Sequence, residues 1–142
     1  MVRNEVLDSN IVIYDQIKTE RRLDNRTQQI KSLSHEIMER ISKGERVVTS
    51  TVHVSETANI LEEVVGIENS YAPISELLKA ENIQIESVDR SIYATSLDEA
   101  KEHNIGVNDG LAVVVMKNLG IDEIYSFDEH FDKIEGIRRV EK

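Results

Sequence analysis

The chain has no cysteine and no tryptophan, a single proline, and only four Tyr and two Phe in 142 residues. Without a thiol there is no thiolate nucleophile, no disulfide and no cysteine-bound zinc. No apolar run nears the roughly 20 residues that span a bilayer. The start, "MVRNEVLDSN", lacks the basic-then-apolar layout of a secretory signal. These absences lead us to expect an intracellular, cytoplasmic protein that does not engage a membrane. The phosphate loops G-x-x-x-x-G-K-[ST] and G-x-G-x-x-G are also missing, which removes nucleotide binding by those devices. The four histidines form no recognised zinc spacing, and Asp8 is followed by Ser9 and Asn10, so there is no D-x-D phosphatase start.

Positive charge is scarce. Seventeen Lys and Arg stand against 27 Asp and Glu, for a net charge of −10. That balance argues against a module that simply coats nucleic acid, because phosphate binding needs clustered cations. Segment 17–31 is the exception, with Lys18, Arg21, Arg22, Arg26 and Lys31 against only Glu20 and Asp24. It reads either as a solvated helix face or as a landing strip for a polyanion.

What is present is a globular composition, 39% hydrophobic and 31% charged. The length suits one domain over 1–142, burying roughly 68–70% of its unfolded surface. "NEVL" reads as a strand and "NIVIYDQI" as a short helix. Residues 27–43 have helical apolar spacing and stop at Gly44. "ERVVTS" is a strand, and a helix runs from Ser50 or Thr51 to about Val65, closed by Gly66. Another helix is expected after Pro73, with that proline in its first turn. "NIQIESV" alternates like a strand, and a helix then opens near Asp89 or Ser91 and ends by Gly106. Residues 108–119 are apolar all round, a buried helix stopped by Gly120, and "DEIYSFD" and "GIRRVEK" close the chain as strands. Strands alternating with helices give an α/β fold, with a mostly parallel sheet covered on both faces.

In open parallel sheets, ligands sit beyond the carboxyl ends of the strands, where strand order reverses. Asp8 ends the first strand and Asp128 a late one, while Asp109 lies in the first turn of the apolar helix. Each has an ordinary alternative. Asp8 suits a helix cap, but Ser9 and Asn10 also suit that task. Glu56 interrupts an apolar stripe between Val52 and Ile60, an unusual place for a carboxylate without a partner or metal. Asp109 suits the helix dipole, yet Asn108 is a ready cap, and an isolated carboxylate there is costly unless a cation compensates it. Asp128 reads equally as a turn former and as a ligand. Ser126 places a hydroxyl beside the same cluster. His130 is a weaker candidate for substrate contact.

Taken in order, "VLDSNIVIY", the inward Glu of "VSETANIL", "VNDGLAVVVMKNLG" and "IYSFDEHFDKI" resemble the PIN-domain nucleases, particularly the small prokaryotic VapC-like toxins. The likeness spans residues 5 to about 140. It implies a three-layer α/β/α sandwich and an endoribonuclease dependent on Mg²⁺ or Mn²⁺. It further implies a homodimer held inactive by a cognate antitoxin. Asp8, Glu56, Asp109 and Asp128 match the family's acidic residues, with Asp8, Asp109 and Asp128 as metal ligands. Ser126 stands where the family has Thr or Ser and is expected, with Arg21, Arg22 and Arg26, to bind the RNA substrate. Gly110 departs from the pattern, since a larger residue such as Ala is usual there, and a looser first turn is expected. An inactive scaffold of the same shape, binding RNA or a protein, is the competing expectation.

Overall fold

The computed structural model describes residues 5–17 and 24–141. Five strands, β1 (Glu5–Leu7), β2 (Val47–Ser50), β3 (Ile83–Glu86), β4 (Glu123–Tyr125) and β5 (Arg138–Val140), form one sheet in the order β3-β2-β1-β4-β5. Every pairing is parallel. The chain steps outward from β1 to β3 on one side, then returns to lay β4 on the other side of β1. Strand order therefore reverses between β1 and β4, which opens a crevice beyond their carboxyl ends.

The connections are α1 (Ser9–Gln16), α2 (Asn25–Ser42), α3 (Thr51–Val65), α4 (Ile67–Lys79), α5 (Arg90–His103) and α6 (Val107–Leu119). Alternation along the short strands feeds two cores. Val6, Val48 and Ile124 pack with Leu111, Val115 and Met116 of α6 and with Phe131. Leu7, Val47 and Tyr125 pack with Ile11 and Val12 of α1, Ile37 and Ile41 of α2 and Leu77 of α4. Side chains of period two thus send neighbours to opposite faces, and both faces are covered. The result is the expected three-layer α/β/α sandwich.

Two helices begin earlier than their sequence pattern indicated. Asp24 accepts the Thr27 N–H at 2.7 Å, so α2 starts at Asn25. Gly66 adopts φ 89° and ψ 158°, a conformation open to glycine, and α4 starts directly after it. Pro73 consequently lies inside α4 and not in its first turn. It is buried there, and its apolar ring sets it against the interior.

Gly110 also reads differently in three dimensions. A Cβ built on it would lie 2.4 Å from the Ser96 carbonyl oxygen and 3.0 Å from the Ala100 nitrogen, both backbone atoms of α5. Buried Ser96 and Ala100 line the facing side of α5. The glycine allows α5 and α6 to approach backbone to backbone; it does not loosen the turn that carries Asp109.

Candidate active site

The crevice at the reversal point is where the acidic residues meet. The Asp8 N–H donates to the Tyr125 carbonyl at 3.0 Å, continuing the β1–β4 ladder one residue past the strands. That register puts Asp8 beside Ser126. The Ser126 hydroxyl donates to Asp8 Oδ2 at 2.6 Å, and its own oxygen accepts the Asp128 N–H at 3.0 Å. Asp8 stands at the N-cap position of α1 but makes no side-chain cap bond. Its carboxylate turns toward the crevice, so capping is not what it does.

Glu56 reaches the cluster from α3. It accepts the Ser9 hydroxyl at 2.5 Å on one oxygen and the Asn108 side-chain amide at 2.8 Å on the other. His53, one turn earlier, is buried, and its Nε2 lies 2.9 Å from the Asn108 carbonyl, while the Ser50 hydroxyl meets Nδ1 at 2.7 Å. A carbonyl only accepts, so Nε2 carries the hydrogen that meets it. Asn108 is held twice by α3. This clamp fixes the first turn of α6, and with it Asp109. Asn108 does not cap α6, whose N-cap is Gly106.

Asp109, Asp128 and His130 form the outer part of the site. Each offers a ligand atom, and these atoms all lie within 4.8 Å of one another. His130 Nδ1 is 3.0 Å from Asp128 Oδ1 and 3.9 Å from Asp109 Oδ2. Asp8 and Glu56 stand outside this trio but feel it. Burial raises the Asp8 pKa above the ordinary carboxylate value, opposed by the Ser126 hydrogen bond and reinforced by Glu56 and Asp128. Asp109 is pushed up to about 7, first by burial and then by the charges of Asp8, Asp128 and Glu56. Among the described residues, no Lys or Arg makes an ion pair or hydrogen bond with any of the four carboxylates. Four acids from four separate elements therefore meet at one sheet edge with His130 beside two of them and no Lys or Arg to neutralise them, an arrangement that a bound divalent cation makes tolerable.

Several expected binding residues are placed otherwise. Ser126 is fully buried and sits behind Asp8, so it orients that carboxylate and is not open to substrate. Arg26 is half exposed but pairs with Glu141 at 3.2 Å, which already satisfies its charge. Arg21 and Arg22 lie outside the described residues. The structure adds Ser9, His53 and Asn108, whose roles rest on partners 47 to 55 positions away and leave no local pattern. Arg139 is a further addition: it donates to the Ser126 carbonyl at 3.4 Å while bound to Asp132 and Glu141. Its charge is thereby turned away from the acids, at the back of the site.

The fold and this acidic crevice can be set beside known proteins. The PIN domain model matches residues 6–137. Among solved structures, VapC20 of Mycobacterium tuberculosis, a sarcin-ricin loop cleaving toxin, superimposes with a TM-score of 0.69 at 18% identity, covering 89% of this chain and 91% of that one. A toxin-antitoxin complex from Klebsiella pneumoniae matches with a TM-score of 0.61 at 14% identity over 95% of this chain and 96% of the other. PAE2754 from Pyrobaculum aerophilum gives 0.62 at 15% identity over 99% and 92%. No curated protein sequence matches significantly. With a family model spanning nearly its whole length and the same fold in each of these structures, the chain belongs to the PIN-domain family.

Proposed function

We infer that the protein is a metal-dependent endoribonuclease that hydrolyses RNA phosphodiester bonds. The observation that carries this reading is the convergence of Asp8, Glu56, Asp109 and Asp128 at one sheet edge with no described Lys or Arg paired to them. Carboxylate oxygens favour hard ions such as Mg²⁺ and Mn²⁺, which bind through a few carboxylates and keep waters for exchange with phosphate. Asp109 and Asp128 are open to the crevice, with side chains 25% and 28% exposed, and His130 stands next to them. Asp8 completes the inner wall.

When bound, such an ion supplies polarisation of the scissile phosphate and a more acidic water. The chain's own residues hold and orient. Ser126 aims Asp8 and opposes the effect of burial on it, because a hydrogen bond donated to a carboxylate favours its ionised form. Ser9 and Asn108 fix both oxygens of Glu56, which leaves that carboxylate positioned to accept a proton from a water in the crevice. His53 keeps Asn108 in register with Glu56.

A toxin role with an antitoxin partner is supported by the likeness to the Klebsiella toxin-antitoxin complex. Assembly as a homodimer is supported by the exposed Ile67, Tyr71 and Leu78 of α4. No described helix is long and apolar enough to cross a membrane, which accords with action in the cytoplasm. The test is incubation of the purified protein with a mixed RNA pool, with Mn²⁺ or with EDTA. Cleavage with Mn²⁺ that EDTA abolishes is expected. RNA that stays intact in both, with no Mn²⁺ binding by calorimetry, would instead identify an inactive scaffold.

A further inference from the structure

The first two turns of α5 present an unusual face. Arg90, Tyr93, Ala94 and Leu97 follow the i, i+3, i+4, i+7 spacing that puts side chains on one side of a helix. That side faces solvent. Tyr93 is 39% and Leu97 41% exposed, and the buried side of the helix is the one bearing Ser96 and Ala100. With Val107, at the start of α6, these residues line an open hollow of about 320 Å³. A large ring and a leucine left in water need an explanation.

The ring is tied to the acidic site. The Tyr93 hydroxyl donates to Asn108 Oδ1 at 2.6 Å, and the amide of the same Asn108 donates to Glu56 at 2.8 Å. Two hydrogen bonds thus separate the phenol from a carboxylate of the site. Arg90, one turn before Tyr93, is exposed and makes no hydrogen bond or ion pair with any described residue. Arg26, Arg40, Arg138 and Arg139 each have an acidic partner. An acidic protein that handles a polyanion needs a cation near its site, and Arg90 is free to serve.

We propose that the Arg90–Tyr93–Leu97 face is a nucleotide subsite of the nuclease, in which Tyr93 stacks on an unpaired base of single-stranded RNA and Arg90 meets the adjoining phosphate. The proposal rests on the ribonuclease reading and extends it to the form of the substrate. A base stacks on an aromatic plane without regard to its identity, so this subsite selects an accessible, unstacked nucleotide and not a particular letter. The fixed hydroxyl matters because a ring anchored to Asn108 is ordered before RNA arrives. Leu97 and Val107 supply the apolar floor on which the base edge rests.

The test compares cleavage of an unstructured RNA pool by the full-length wild type, Tyr93→Leu, Tyr93→Phe and Arg90→Gln, in Mn²⁺. Tyr93→Leu is expected to lower kcat/KM about tenfold, within the range that loss of one stacked base gives, and to do so through KM. Tyr93→Phe loses the same bond to Asn108 but keeps the ring, so it should retain more activity than Tyr93→Leu. If instead the two fall equally, the effect runs through Glu56 and the stacking role is wrong. Arg90→Gln should flatten the salt dependence, reducing the slope of log affinity against log salt by about 0.7. Wild-type values for both Tyr93→Leu and Arg90→Gln, or a change in their hydrodynamic size with KM unaltered, would overturn the proposal and in the latter case assign the face to a second copy of the chain. Absence of cleavage by the wild type would remove the ribonuclease reading itself, and is distinguishable from these.

Discussion

Ser126 gives its hydroxyl proton to Asp8 at 2.6 Å, joining residues 118 positions apart at the meeting of β1 and β4. The same hydroxyl oxygen receives the Asp128 N–H. One small buried side chain therefore sets the direction of one acid and the backbone of another. Replacing it with alanine leaves Asp8 buried without its strongest stabilising partner, and burial then favours the protonated acid still more. Ser126→Ala is expected to weaken Mn²⁺ binding by about 10-fold or more, the cost typical of losing a group that orients a ligand. Calorimetric titration measures it, and unchanged affinity would show that Asp8 needs no support from β4.

The second prediction follows from charge crowding at Asp109. Its carboxyl sits at about 7 in the fold, well above the ordinary value of 3.8. For an acid raised in this way the folded state holds the proton more tightly than the unfolded chain. Its contribution to stability is thus present at low pH and declines as pH rises from about 4 to about 7, levelling off above that. Asp8, raised in the same direction, adds to the trend. In EDTA the protein should melt at a higher temperature at pH 5.5 than at pH 8, as far as these groups govern it, with a difference on the order of a few kcal/mol. Mn²⁺ should restore stability at pH 8 and do little at pH 5.5, where protons compete for the same oxygens. Asp109→Asn should flatten the metal-free pH profile and abolish Mn²⁺-dependent RNA cleavage. A melting temperature that is flat, or that rises with pH, would contradict the crowding.

A third prediction concerns packing. Gly110→Ala would drive a methyl group into the Ser96 carbonyl, a backbone atom that cannot swing aside. The helices α5 and α6 must then part. Overpacking of this kind costs about 1–3 kcal/mol, and because Asp109 is the preceding residue, metal affinity should fall as well. Urea denaturation of the wild type and the variant tests the first effect. An alanine that is neutral or stabilising would mean that the two helices are free to slide.

These results also explain what was readable in one dimension. The sandwich was legible because strands alternate with helices along the chain, and the β-branched "VVTS" and the apolar 108–119 mark a strand and a helix buried on all sides. The four acids stood out because each breaks an apolar pattern or ends a strand. Their supports did not. Ser9, Asn108 and His53 look like ordinary capping or surface residues, and their meaning comes only from partners on other elements. Pro73 misled for a related reason: Gly66 lets α4 begin six residues earlier, so the proline that suggested a start lies in the interior. Arg26 had the right charge in a basic stretch, but Glu141, at the far end of the chain, takes it up. Arg26→Gln is accordingly expected to alter RNA cleavage less than Arg90→Gln.

His130 gives the last prediction. Its side chain is 54% exposed, yet Nδ1 lies 3.0 Å from Asp128 and within reach of Asp109. An imidazole at the rim of an otherwise oxygen-only site changes which ions the site prefers. Nitrogen donors add more to binding of transition ions than of Mg²⁺, which favours carboxylate, carbonyl and water oxygens. If His130 contributes a ligand, His130→Ala should weaken Mn²⁺ binding more than Mg²⁺ binding and narrow the gap between them. If it only lowers the repulsion between Asp109 and Asp128, the two affinities should shift together. Parallel titrations of the two ions, on the wild type and the variant, separate a ligand from a counter-charge.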